Sequence, residues 1–352
     1  MRYLRFVFFP FTILYIIITE FRNLLYKVNI KRSFKFSIPI INVGNLSMGG
    51  TGKTPHIEYL IRLLKNNHHL ATLSRGFGRK QRGFIIANEH SNAEQIGDEP
   101  LQFYKKYGKE ITVAVEVDRV KGVMDLCYAK EKTDLVLLDD AYQHQAIKAG
   151  LNILLTDYNY PFYNDYVLPI GNLRELRKNK KRADVIIVTK CPGFKDINKG
   201  YLIKKIKPLS HQKVFFSRIK YNNQLTNFDD TEVSFNSMSK SAILVTGIAN
   251  PIPLIMHLEK KIKILKHLKF LDHYQYKQKD IEEINNLLIK FEAFSPIVIT
   301  TEKDAMRLLG TKIEPLIYKS RWFYQEIEVE IDNKNEFDKI ILNYVQKNCR
   351  DY

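Results

Sequence analysis

The chain has 352 residues, a hydrophobic content of 45% and a formal net charge of +17 at pH 7. These values suit a globular protein of one or two domains, and the charge favours an anionic partner such as a phosphorylated substrate, a lipid surface or a nucleic acid. Three cysteines, Cys127, Cys191 and Cys349, exclude a disulfide framework and have no metal-ligand spacing. A reducing, cytoplasmic compartment fits best.

The N-terminal segment 1–30 is apolar and rich in phenylalanine, with basic residues on both sides. Its apolar run, Phe6 to Ile18, covers about 13 residues, fewer than the ~20 that span a bilayer. No small-residue cleavage site follows it, which argues against a signal peptide. A buried core helix and an interfacial membrane anchor remain as interpretations, and the basic flanks favour the anchor.

The first half of the chain alternates short apolar runs with helical patterns. Strands are predicted at 38–43, 70–74, 111–115, 135–138, 153–156 and 185–189, and helices at 57–65 and 119–130. Continuous apolar strands separated by helices are typical of a parallel sheet that is covered on both faces. The predicted fold class is therefore α/β, with a doubly wound, mostly parallel sheet of the P-loop NTPase type.

The pattern changes after about residue 212. Residues 214–222 and 322–332 alternate in polarity and are predicted to pair, while apolar runs at 241–247 and 297–301 predict strands of a second unit. The predicted organisation is a nucleotide-binding domain at 31–212, linker strands at 213–240 and 321–334, and a smaller α/β domain at 241–320. Residues 335–352 are predicted to return to the first domain as a terminal helix.

A glycine-rich segment, VGNLSMGGTGKTP, follows the first predicted strand. Its glycines allow backbone N–H groups to turn towards a polyphosphate, although Ser47 stands where the usual pattern has glycine. Lys53 is predicted to reach the β/γ-phosphates of ATP, and the Thr54 hydroxyl to ligate Mg²⁺. The predicted nucleotide contacts are Ser47, Met48, Gly49, Gly50, Thr51, Gly52, Lys53 and Thr54.

Two carboxylate pairs are candidates for the chemistry. Asp139 and Asp140 end an apolar strand, where ligands bind in parallel sheets, and are predicted to hold Mg²⁺ directly or through water. Asp98 and Glu99 precede Pro100 at a predicted helix start. They suit either a helix cap or a general base beside a metal ligand.

Other polar residues are candidate substrate contacts or structural groups. The loop SRGFGR is suited to a phosphate or sugar phosphate, or is simply solvated, and 168–182 carries a basic run that faces either solvent or an anion. His273, among aromatic residues, would by itself be structural. The element TEKD at 301–304 resembles the guanine-reading element of GTPases. The candidate substrate contacts are Arg75, Arg79, Arg119, Gln143, His144, Asn172 and Arg174.

Together these segments resemble the tetraacyldisaccharide 4′-kinase family, the lipid A kinases of Gram-negative bacteria. The resemblance covers about residues 35–310 in the family's order. Ala141 replaces an expected glycine, and Phe77 stands where the family often has tyrosine. The matching segments are VGNLSMGGTGKTP, SRGFGR, IGDEP, the strand ending in DDAYQH, LPIGNLRE, VTGIANP, DHYQY and TEKDAMRL.

The resemblance implies an ATP- and Mg²⁺-dependent kinase. It would phosphorylate the 4′-hydroxyl of a tetraacylated glucosamine disaccharide 1-phosphate to give lipid IVA, as a peripheral protein on the cytoplasmic face of the inner membrane. Two domains would enclose the active site. Asp98 matches the family's general base and His273 its partner, alongside Lys53 at the phosphates. Glu99, Asp139 and Asp140 fall in the metal and water network, and Arg119 matches a family arginine that contacts substrate or phosphate.

Other function classes fit less well. Membrane-associated switch ATPases carry a lysine where this chain has Met48. A P-loop GTPase would need residues 301–304 on the same sheet as the phosphate loop. The charge permits nucleic-acid binding, but no recognition motif is present, so no nucleic acid is expected as a partner. No obligate protein partner is implied, and the expected partners are the lipid substrate and the inner-membrane surface.

Overall fold

The computed structural model describes residues 7–129 and 132–348. The first six residues of the predicted anchor, and Cys349, lie outside them. The strands are β1 (Ile40–Asn45), β2 (Leu70–Ser74), β3 (Ile85–Ile86), β4 (Thr112–Val115), β5 (Leu135–Asp139), β6 (Leu151–Asp157), β7 (Val185–Thr189), β8 (Lys213–Tyr221), β9 (Gln224–Asn227), β10 (Glu232–Ser234), β11 (Ser241–Thr246), β12 (Lys263–Lys269), β13 (Ile297–Thr301), β14 (Trp322–Gln325) and β15 (Ile327–Ile331).

The helices cover the sheets and carry much of the candidate site. They are α1 (Phe9–Lys27), α2 (Lys53–Leu64), α3 (Ala93–Ile96), α4 (Asp98–Tyr107), α5 (Arg119–Tyr128), α6 (Lys199–Ile206), α7 (Ile252–Leu258), α8 (Gln278–Lys290), α9 (Glu302–Leu308) and α10 (Lys334–Asn348). Short 3₁₀ turns complete several of the connections.

Strands β1 to β8, together with β15 from near the C-terminus, form a nine-stranded sheet with the order β15-β8-β7-β6-β1-β5-β2-β4-β3. The seven central strands are parallel, and only the two edge strands, β15 and β3, run antiparallel to their neighbours. Every residue of β1, β2, β5 and β7 is buried, as expected for strands that helices cover on both faces. The predicted doubly wound, mostly parallel sheet is confirmed.

A second, six-stranded sheet has the order β10-β9-β14-β13-β11-β12. Strands β12, β11, β13 and β14 are parallel, and β9 and β10 are antiparallel additions at one edge. A continuous apolar core extends from one sheet to the other, because the same cluster contains Ile41 and Leu137 from the first and Ile243 and Trp322 from the second.

The chain passes between the two sheets at two adjacent points. Asn222 and Asn223 separate β8 from β9, and Glu326 alone separates β14 from β15. The crossings are bonded to each other, since the Asn222 N–H donates to the Glu326 carbonyl at 3.1 Å and the Gln325 amide donates to the Asn222 carbonyl at 3.0 Å.

The strands at these crossings differ from the sequence-based linker. The predicted pairing of 214–222 with 322–332 holds only for β8 with β15. The other half of that second segment, β14, joins the six-stranded sheet, as do β9 and β10 from the predicted linker 213–240. Alternation in polarity locates a strand that is buried on one face, but it does not reveal that consecutive strands belong to different sheets.

Helix α1 has a reversed pattern of burial. Its buried residues are Thr12 and Thr19, with Tyr15 and Ile16 packed partly against the nine-stranded sheet. The apolar side chains point away from the protein, and Phe11, Ile17 and Phe21 are about 60% exposed. The interpretation of this segment as a buried core helix is therefore wrong. In residues 7–129 and 132–348, no helix combines the length and apolar character of a membrane span.

Helix α10 closes the chain against the nine-stranded sheet. Phe337, Ile341 and Val345 are buried along one face of the helix. The Tyr344 hydroxyl donates to the carbonyl of Ile40 and accepts from the N–H of the same residue, each at 3.1 Å. These contacts support the terminal helix packing next to the strand that leads into the glycine-rich loop.

Candidate active site

The loop between β1 and α2 has the conformation of a phosphate cradle. Gly49 and Gly52 have φ angles of 103° and 87°, which disfavour residues with a Cβ atom. The loop is held from below, because Thr189 donates to the Thr51 carbonyl and Asn45 donates to the Thr51 hydroxyl, both at 2.8 Å. A Cβ atom added to Gly50 would meet nothing within 4 Å, so the loop is open on that side.

A buried histidine that the sequence reasoning missed supports the same loop. His56 Nδ1 lies 2.6 Å from the Gly52 carbonyl, and its Nε2 lies 3.0 Å from the Ser217 hydroxyl. Burial lowers the pKa of His56 to about 4, with the Gly52 carbonyl acting in the opposite direction. The ring is therefore neutral at physiological pH and links the loop to strand β8. A histidine at the third position after Gly-Lys has no distinctive sequence signal.

Lys53 and Thr54 lie at the start of α2 and contact different carboxylates. Lys53 Nζ is 3.6 Å from Asp140, and the Thr54 hydroxyl donates to Glu99 at 3.0 Å. Lys303, from α9 beside the second sheet, also donates to the same Glu99 oxygen at 2.9 Å. The structure therefore brings a side chain of the second sheet's layer into contact with the neighbourhood of the phosphate loop.

Asp98 and Glu99 occupy the first turn of α4, and Gly97 is the residue that caps this helix. The interpretation of the two carboxylates as caps is therefore wrong. Gly97 has a φ angle of 97°, and a Cβ atom added to it would lie only 3.1 Å from the Gly76 Cα and the Phe77 carbonyl oxygen, so glycine is strongly favoured there. The tight turn directs both carboxylates towards the space between the sheets.

Asp98 is 6% exposed and contacts two groups of the second sheet's layer. Arg307 donates to its Oδ2 from two nitrogens, at 2.7 and 3.0 Å, and His273 Nδ1 lies 3.3 Å from the same oxygen. Burial raises the pKa of Asp98, but the combined effect of His273, Lys303 and Arg307 in lowering it is larger. The pKa of Asp98 is therefore well below its usual value. Asp98 is therefore a carboxylate at any physiological pH.

His273 is held in a strained turn between β12 and α8. Its φ angle is 57°, in the left-handed region that a residue with a Cβ rarely adopts. The Asp272 carboxylate accepts its N–H at 3.1 Å, and the Phe77 ring packs edge-on against the imidazole with centroids 5.0 Å apart. One-third of the side chain is exposed, so the imidazole faces both Asp98 and the open cleft.

The element at 301–304 has a structural role. Asp304 is fully buried, and its carboxylate accepts from Arg307, Tyr276 and the Gly247 N–H at 2.8 to 3.1 Å. Strand β13, which leads into it, belongs to the six-stranded sheet and not to the sheet of the phosphate loop. The GTPase interpretation is therefore not favoured, because Asp304 cannot turn towards a base without leaving these partners.

Asp139 ends β5 as predicted, and Asp140 follows it directly. Asp139 is buried, Ser74 donates to one of its oxygens at 3.2 Å, and the other oxygen has no partner among the described residues. Burial, Glu99 and Asp140 raise the pKa of Asp139 to about 7 against the opposing effect of Lys53. Asp140 has a lowered pKa because Lys53 and Arg174 outweigh its burial.

The predicted metal ligands do not form one cluster. In residues 7–129 and 132–348, no group of three or more His, Cys, Asp or Glu side chains is arranged to hold a metal ion. Thr54 and Glu99 form one pair of oxygen ligands, and Asp139 and Asp140 form another. This arrangement suits Mg²⁺, which binds one or two carboxylates and completes its shell with water and phosphate oxygens.

Arg119, predicted to contact substrate or phosphate, lies between the ends of two strands of the nine-stranded sheet. Its side chain is buried, and it donates to the backbone carbonyls of Glu116 and Val117 at 3.0 Å and of Asp139 at 3.2 Å. It therefore fixes the ends of β4 and β5 against each other. Its position supports the acidic end of β5, and its role as a substrate contact stays a prediction.

Two further candidates lie against the phosphate loop. Arg174 donates to Asp140 at 2.7 Å and also contacts Asn45, while the Gln143 amide donates to the Asn45 carbonyl at 2.9 Å. Both side chains are part-buried, and both connect the end of β1 to its surroundings. They are placed to support the loop and line its edge.

The remaining candidates lie nearer the surface. Arg75 is exposed, and Arg79 approaches the Val115 carbonyl at 3.5 Å. His144 lies 3.8 Å from Asp118. Asn172 is exposed and bonds to Asp165, while its carbonyl accepts the Met48 N–H at 2.7 Å. Of this group, Asn172 is the one in contact with the phosphate loop.

A second buried ionic cluster that the sequence did not indicate lies between the sheets. Lys106 on α4 contacts Glu58, Glu302 and Glu326 at 3.1, 2.9 and 3.0 Å. Burial and the neighbouring carboxylates raise the pKa of Glu302 well above its usual value, despite Lys106. The cluster joins α2, α4, α9 and the β14–β15 crossing, so it fixes the two sheets relative to each other.

A family model for tetraacyldisaccharide-1-P 4′-kinase (LpxK) matches residues 4–346. The chain belongs to this kinase family. It is 42% identical to a protein of Flavobacterium johnsoniae named tetraacyldisaccharide 4′-kinase. The alignment extends over 350 residues and covers 99% of each chain. A protein of the same name from Flavobacterium psychrophilum is 44% identical over 361 residues, with 98% of each chain covered.

A solved structure of a member of this family has the same fold as this chain. The crystal structure of LpxK from Aquifex aeolicus in complex with ATP matches with a TM-score of 0.77 and 30% identity. The match covers 97% of this chain and 99% of that one. The two-sheet arrangement of this kinase is therefore an architecture of the family, and a switch ATPase is not favoured.

Proposed function

We propose that this kinase transfers the γ-phosphoryl group of ATP to the 4′-hydroxyl of a tetraacylated glucosamine disaccharide 1-phosphate, giving lipid IVA. The contact that carries the proposal is the one between Asp98 and His273, 3.3 Å apart, which unites a carboxylate beside the phosphate loop with a histidine from the other sheet's layer. A hydroxyl acceptor needs a proton acceptor at this point. Family membership supports the choice of acceptor.

The residues of the phosphate loop fit ATP. The open backbone at Gly49 and Gly50 and the start of α2 supply N–H donors, and Lys53 lies at the end of the loop. The ATP complex of the Aquifex aeolicus relative supports this nucleotide. ATP supplies the phosphoryl group. A bond forms between the γ-phosphorus and the attacking 4′-oxygen while the bond from the γ-phosphorus to the β–γ bridging oxygen breaks, and the electron pair of the broken bond stays on ADP.

The oxygen ligands near Lys53 fit Mg²⁺. Thr54 and Glu99 share a hydrogen bond at 3.0 Å, and one oxygen of buried Asp139 has no partner among the described residues. These groups would hold the ion together with water and phosphate oxygens, directly or through water, and the ion would neutralise charge on the phosphates.

We propose that the proton of the 4′-hydroxyl passes to the Asp98–His273 pair at His273 Nε2. Oδ2 of Asp98 already accepts two bonds from Arg307, and the pKa of Asp98 lies well below its usual range. Asp98 is thus a weak base by itself, but its charge orients the imidazole through Nδ1 and stabilises the imidazolium. This assignment reverses the order of the pair that the sequence suggested.

The exposed apolar face of α1 supports a location at a membrane surface, where a tetraacylated substrate resides. Its side chains are flanked by Lys27, Lys31 and Arg32, which suit anionic headgroups. We propose that the protein is peripheral on the cytoplasmic face of the inner membrane. No nucleic acid and no obligate protein partner enter this proposal.

The test is incubation of the purified protein with ATP, Mg²⁺ and the disaccharide 1-phosphate lipid, with detection of the bisphosphate product. His273→Ala and Asp98→Asn should each lower kcat by about 10²-fold or more, with ATP binding retained. In wild-type protein, kcat/KM should decrease at low pH, the acidic limb of the pH profile. If His273 accepts the proton, this limb should be absent from the residual activity of His273→Ala.

Two outcomes would contradict the proposal. A wild-type protein that binds ATP but forms no bisphosphate would exclude the substrate. Persistence of the acidic limb in His273→Ala would exclude His273 as the group that accepts the proton. Lys319→Met, at an exposed ion pair with Glu314, is the matched control and should keep full turnover.

A further inference from the structure

We propose that Lys303 is a further catalytic residue, an ammonium group from the second sheet's layer that donates to a non-bridging oxygen of the transferred phosphoryl group. The inference rests on the proposed phosphoryl transfer and deepens it. It assigns to α9 a direct part in the reaction. The TEKD element at 301–304 contains this lysine, but its resemblance to a guanine-reading element assigned the lysine no part in the phosphoryl transfer.

Lys303 is positioned from the end of a buried strand. Strand β13 ends at Thr301, whose side chain caps α9 by accepting the Asp304 N–H at 3.1 Å. Lys303 follows in the first turn and extends towards the other sheet, where its Nζ lies 2.9 Å from Glu99 Oε1. The rigid strand and the capped turn fix the direction in which the side chain leaves the helix.

The ammonium group lies beside the predicted metal and phosphate site. Glu99 Oε1 also accepts the Thr54 hydroxyl at 3.0 Å, so Lys303 and Thr54 are bonded to the same carboxylate oxygen. Thr54 follows Lys53 at the start of α2. The ammonium group of Lys53 is in turn paired with Asp140 at 3.6 Å. A phosphoryl group between Lys53 and the cleft would therefore be approached by two lysines from different sides.

Lys303 keeps its charge in this position. About three-quarters of the side chain is buried, and burial lowers the pKa of Lys303, but Glu99 and Asp98 raise it above the usual value. An ammonium group has three N–H donors. Among the described residues, Glu99 is the acceptor that it contacts, so donors remain for a phosphate oxygen.

The neighbouring cation cannot take this role. Arg307 is fully used: it donates to Asp98 twice, to Asp304 at 2.8 Å and to the Gly247 carbonyl at 2.9 Å. It can reach a phosphate only by leaving buried acceptors unpaired. Of the two basic residues of α9 that approach the phosphate loop's side of the cleft, Lys303 is the one with donors to spare.

The chemistry needs such a group. As the bond to the β–γ bridging oxygen breaks and the bond to the 4′-oxygen forms, negative charge is spread over the peripheral oxygens of the moving phosphoryl group. A hydrogen-bond donor fixed at those oxygens stabilises the transition state. Because Lys303 approaches the terminal phosphate and not the rest of the nucleotide, it should favour a triphosphate over a diphosphate.

The experiment compares Lys303→Met with wild-type protein in two assays. Titration calorimetry without lipid measures ATP and ADP binding, and steady-state turnover with the lipid measures kcat. We expect kcat to fall by about 10²- to 10³-fold, the usual loss for one fixed donor. ATP affinity should fall by roughly 10-fold and ADP affinity by less than about threefold, since only ATP carries the contacted group.

Further variants separate catalysis from packing. Lys303→Arg keeps a cation and should recover part of kcat and of the preference for ATP, even if Lys303→Met loses stability. Lys319→Met removes an exposed lysine beside the same sheet and should change neither quantity. Adding Lys303→Met to Glu99→Gln should still lower kcat, because the contact proposed is with phosphate.

Three results would overturn the inference. They are a kcat of Lys303→Met close to that of wild type, equal losses of ATP and ADP affinity, and no additional loss of kcat in the Glu99→Gln background. A wild-type protein that forms no bisphosphate would contradict the proposed function instead, and in that case the preference for ATP still tests Lys303.

Discussion

At the scale of single residues, Arg307 joins the proposed catalytic pair, Asp98 and His273, to the core of the second sheet. Its side chain is 2% exposed and lies between Asp98 and Asp304, at 2.7 and 2.8 Å. Removing one member of a buried ionic group is costly because the others remain buried without compensation. The position of the Asp98 carboxylate therefore depends on an arginine whose side chain is almost completely enclosed.

Arg307→Met should lower the free energy of unfolding by about 3–5 kcal/mol, because two buried carboxylates lose their cation. Urea denaturation followed by circular dichroism measures this change. Arg321→Met is the matched control, since Arg321 makes two 2.8 Å bonds to Glu292 in an exposed pair, and it should cost less than about 1 kcal/mol. Similar losses in both variants would show that burial of Arg307 has no energetic effect.

His56 predicts a dependence of stability on pH. Its pKa is about 4 in the folded protein and near 6.5 when unfolded, so the unfolded state binds the additional proton between these values. Stability should therefore rise with pH from about 4 to 6.5 and be lost as pH falls, by at most ~1.4 kcal/mol per pH unit from this residue.

The measurement for His56 is the free energy of unfolding at several pH values in this window. His56→Asn should flatten the slope by about one proton, while reducing stability at pH 7 through the lost contacts to Gly52 and Ser217. His90, an exposed histidine outside the loop, supplies the control as His90→Asn, which should leave the slope unchanged. An unaltered slope in His56→Asn would mean that the ring is protonated in the folded state.

At the scale of elements, α1 has one face of polar contacts to the protein and an opposite, exposed apolar face. Asn23 and Thr12 face the protein and hydrogen-bond to Glu175 and the Ile170 N–H, whereas Ile17 and Phe21 face outwards. Ordinary amphipathic helices bury the apolar stripe and expose the polar one. The reversed arrangement leaves the apolar face available to the proposed membrane surface.

Replacing Ile17 and Phe21 together by serine should reduce binding to anionic lipid vesicles by at least about 10-fold, because each apolar side chain contributes ~1.5–3 kcal/mol when it leaves water. Flotation with vesicles measures the bound fraction. The melting temperature should stay near that of wild type. Leu342→Ser, at an exposed position on α10, should leave flotation unchanged, and equal flotation of the double variant would exclude α1 as the anchor.

The same scale shows what sequence patterns can predict. Strands β2 and β7 match the predicted 70–74 and 185–189 because buried parallel strands are uninterrupted apolar runs. The phosphate loop and Asp139 follow from local spacing at a strand end. Arg307 and Lys303 did not, because their roles arise from contacts with residues about 200 positions earlier in the chain. Lone basic residues on a short helix have no local pattern that distinguishes such a role.

At the scale of the whole molecule, the two sheets share one apolar core. The cluster that contains Ile41 also contains Ile243 and Trp322, and the Lys106 cluster spans the same boundary. Separating the sheets would expose apolar surface and leave buried charges apart from their partners. The sheets should therefore not unfold independently.

We expect a single calorimetric transition, with calorimetric and van't Hoff enthalpies in agreement. Far-ultraviolet circular dichroism and the fluorescence of Trp322, a residue of the six-stranded sheet, should give coincident melting curves. Saturating ATP should move both curves together, since ligand binding to the folded state stabilises the whole cooperative unit. Two resolved transitions, or a shift in one curve alone, would contradict this expectation.

The pairing of Tyr221 with Ile327 gives the chain a further property. Strands β8 and β15 form an antiparallel hairpin at the edge of the nine-stranded sheet, and everything from residue 222 to residue 326 is its loop. A hairpin loop can be lengthened without changing the register of its two strands, because their hydrogen bonds do not pass through it. Residues 222–326 can thus be regarded as a domain inserted into the nine-stranded sheet's domain. The phosphate loop belongs to the host domain, and His273 belongs to the inserted one. On the proposed mechanism, the part of the protein that contributes His273 could therefore be exchanged as one continuous segment of chain.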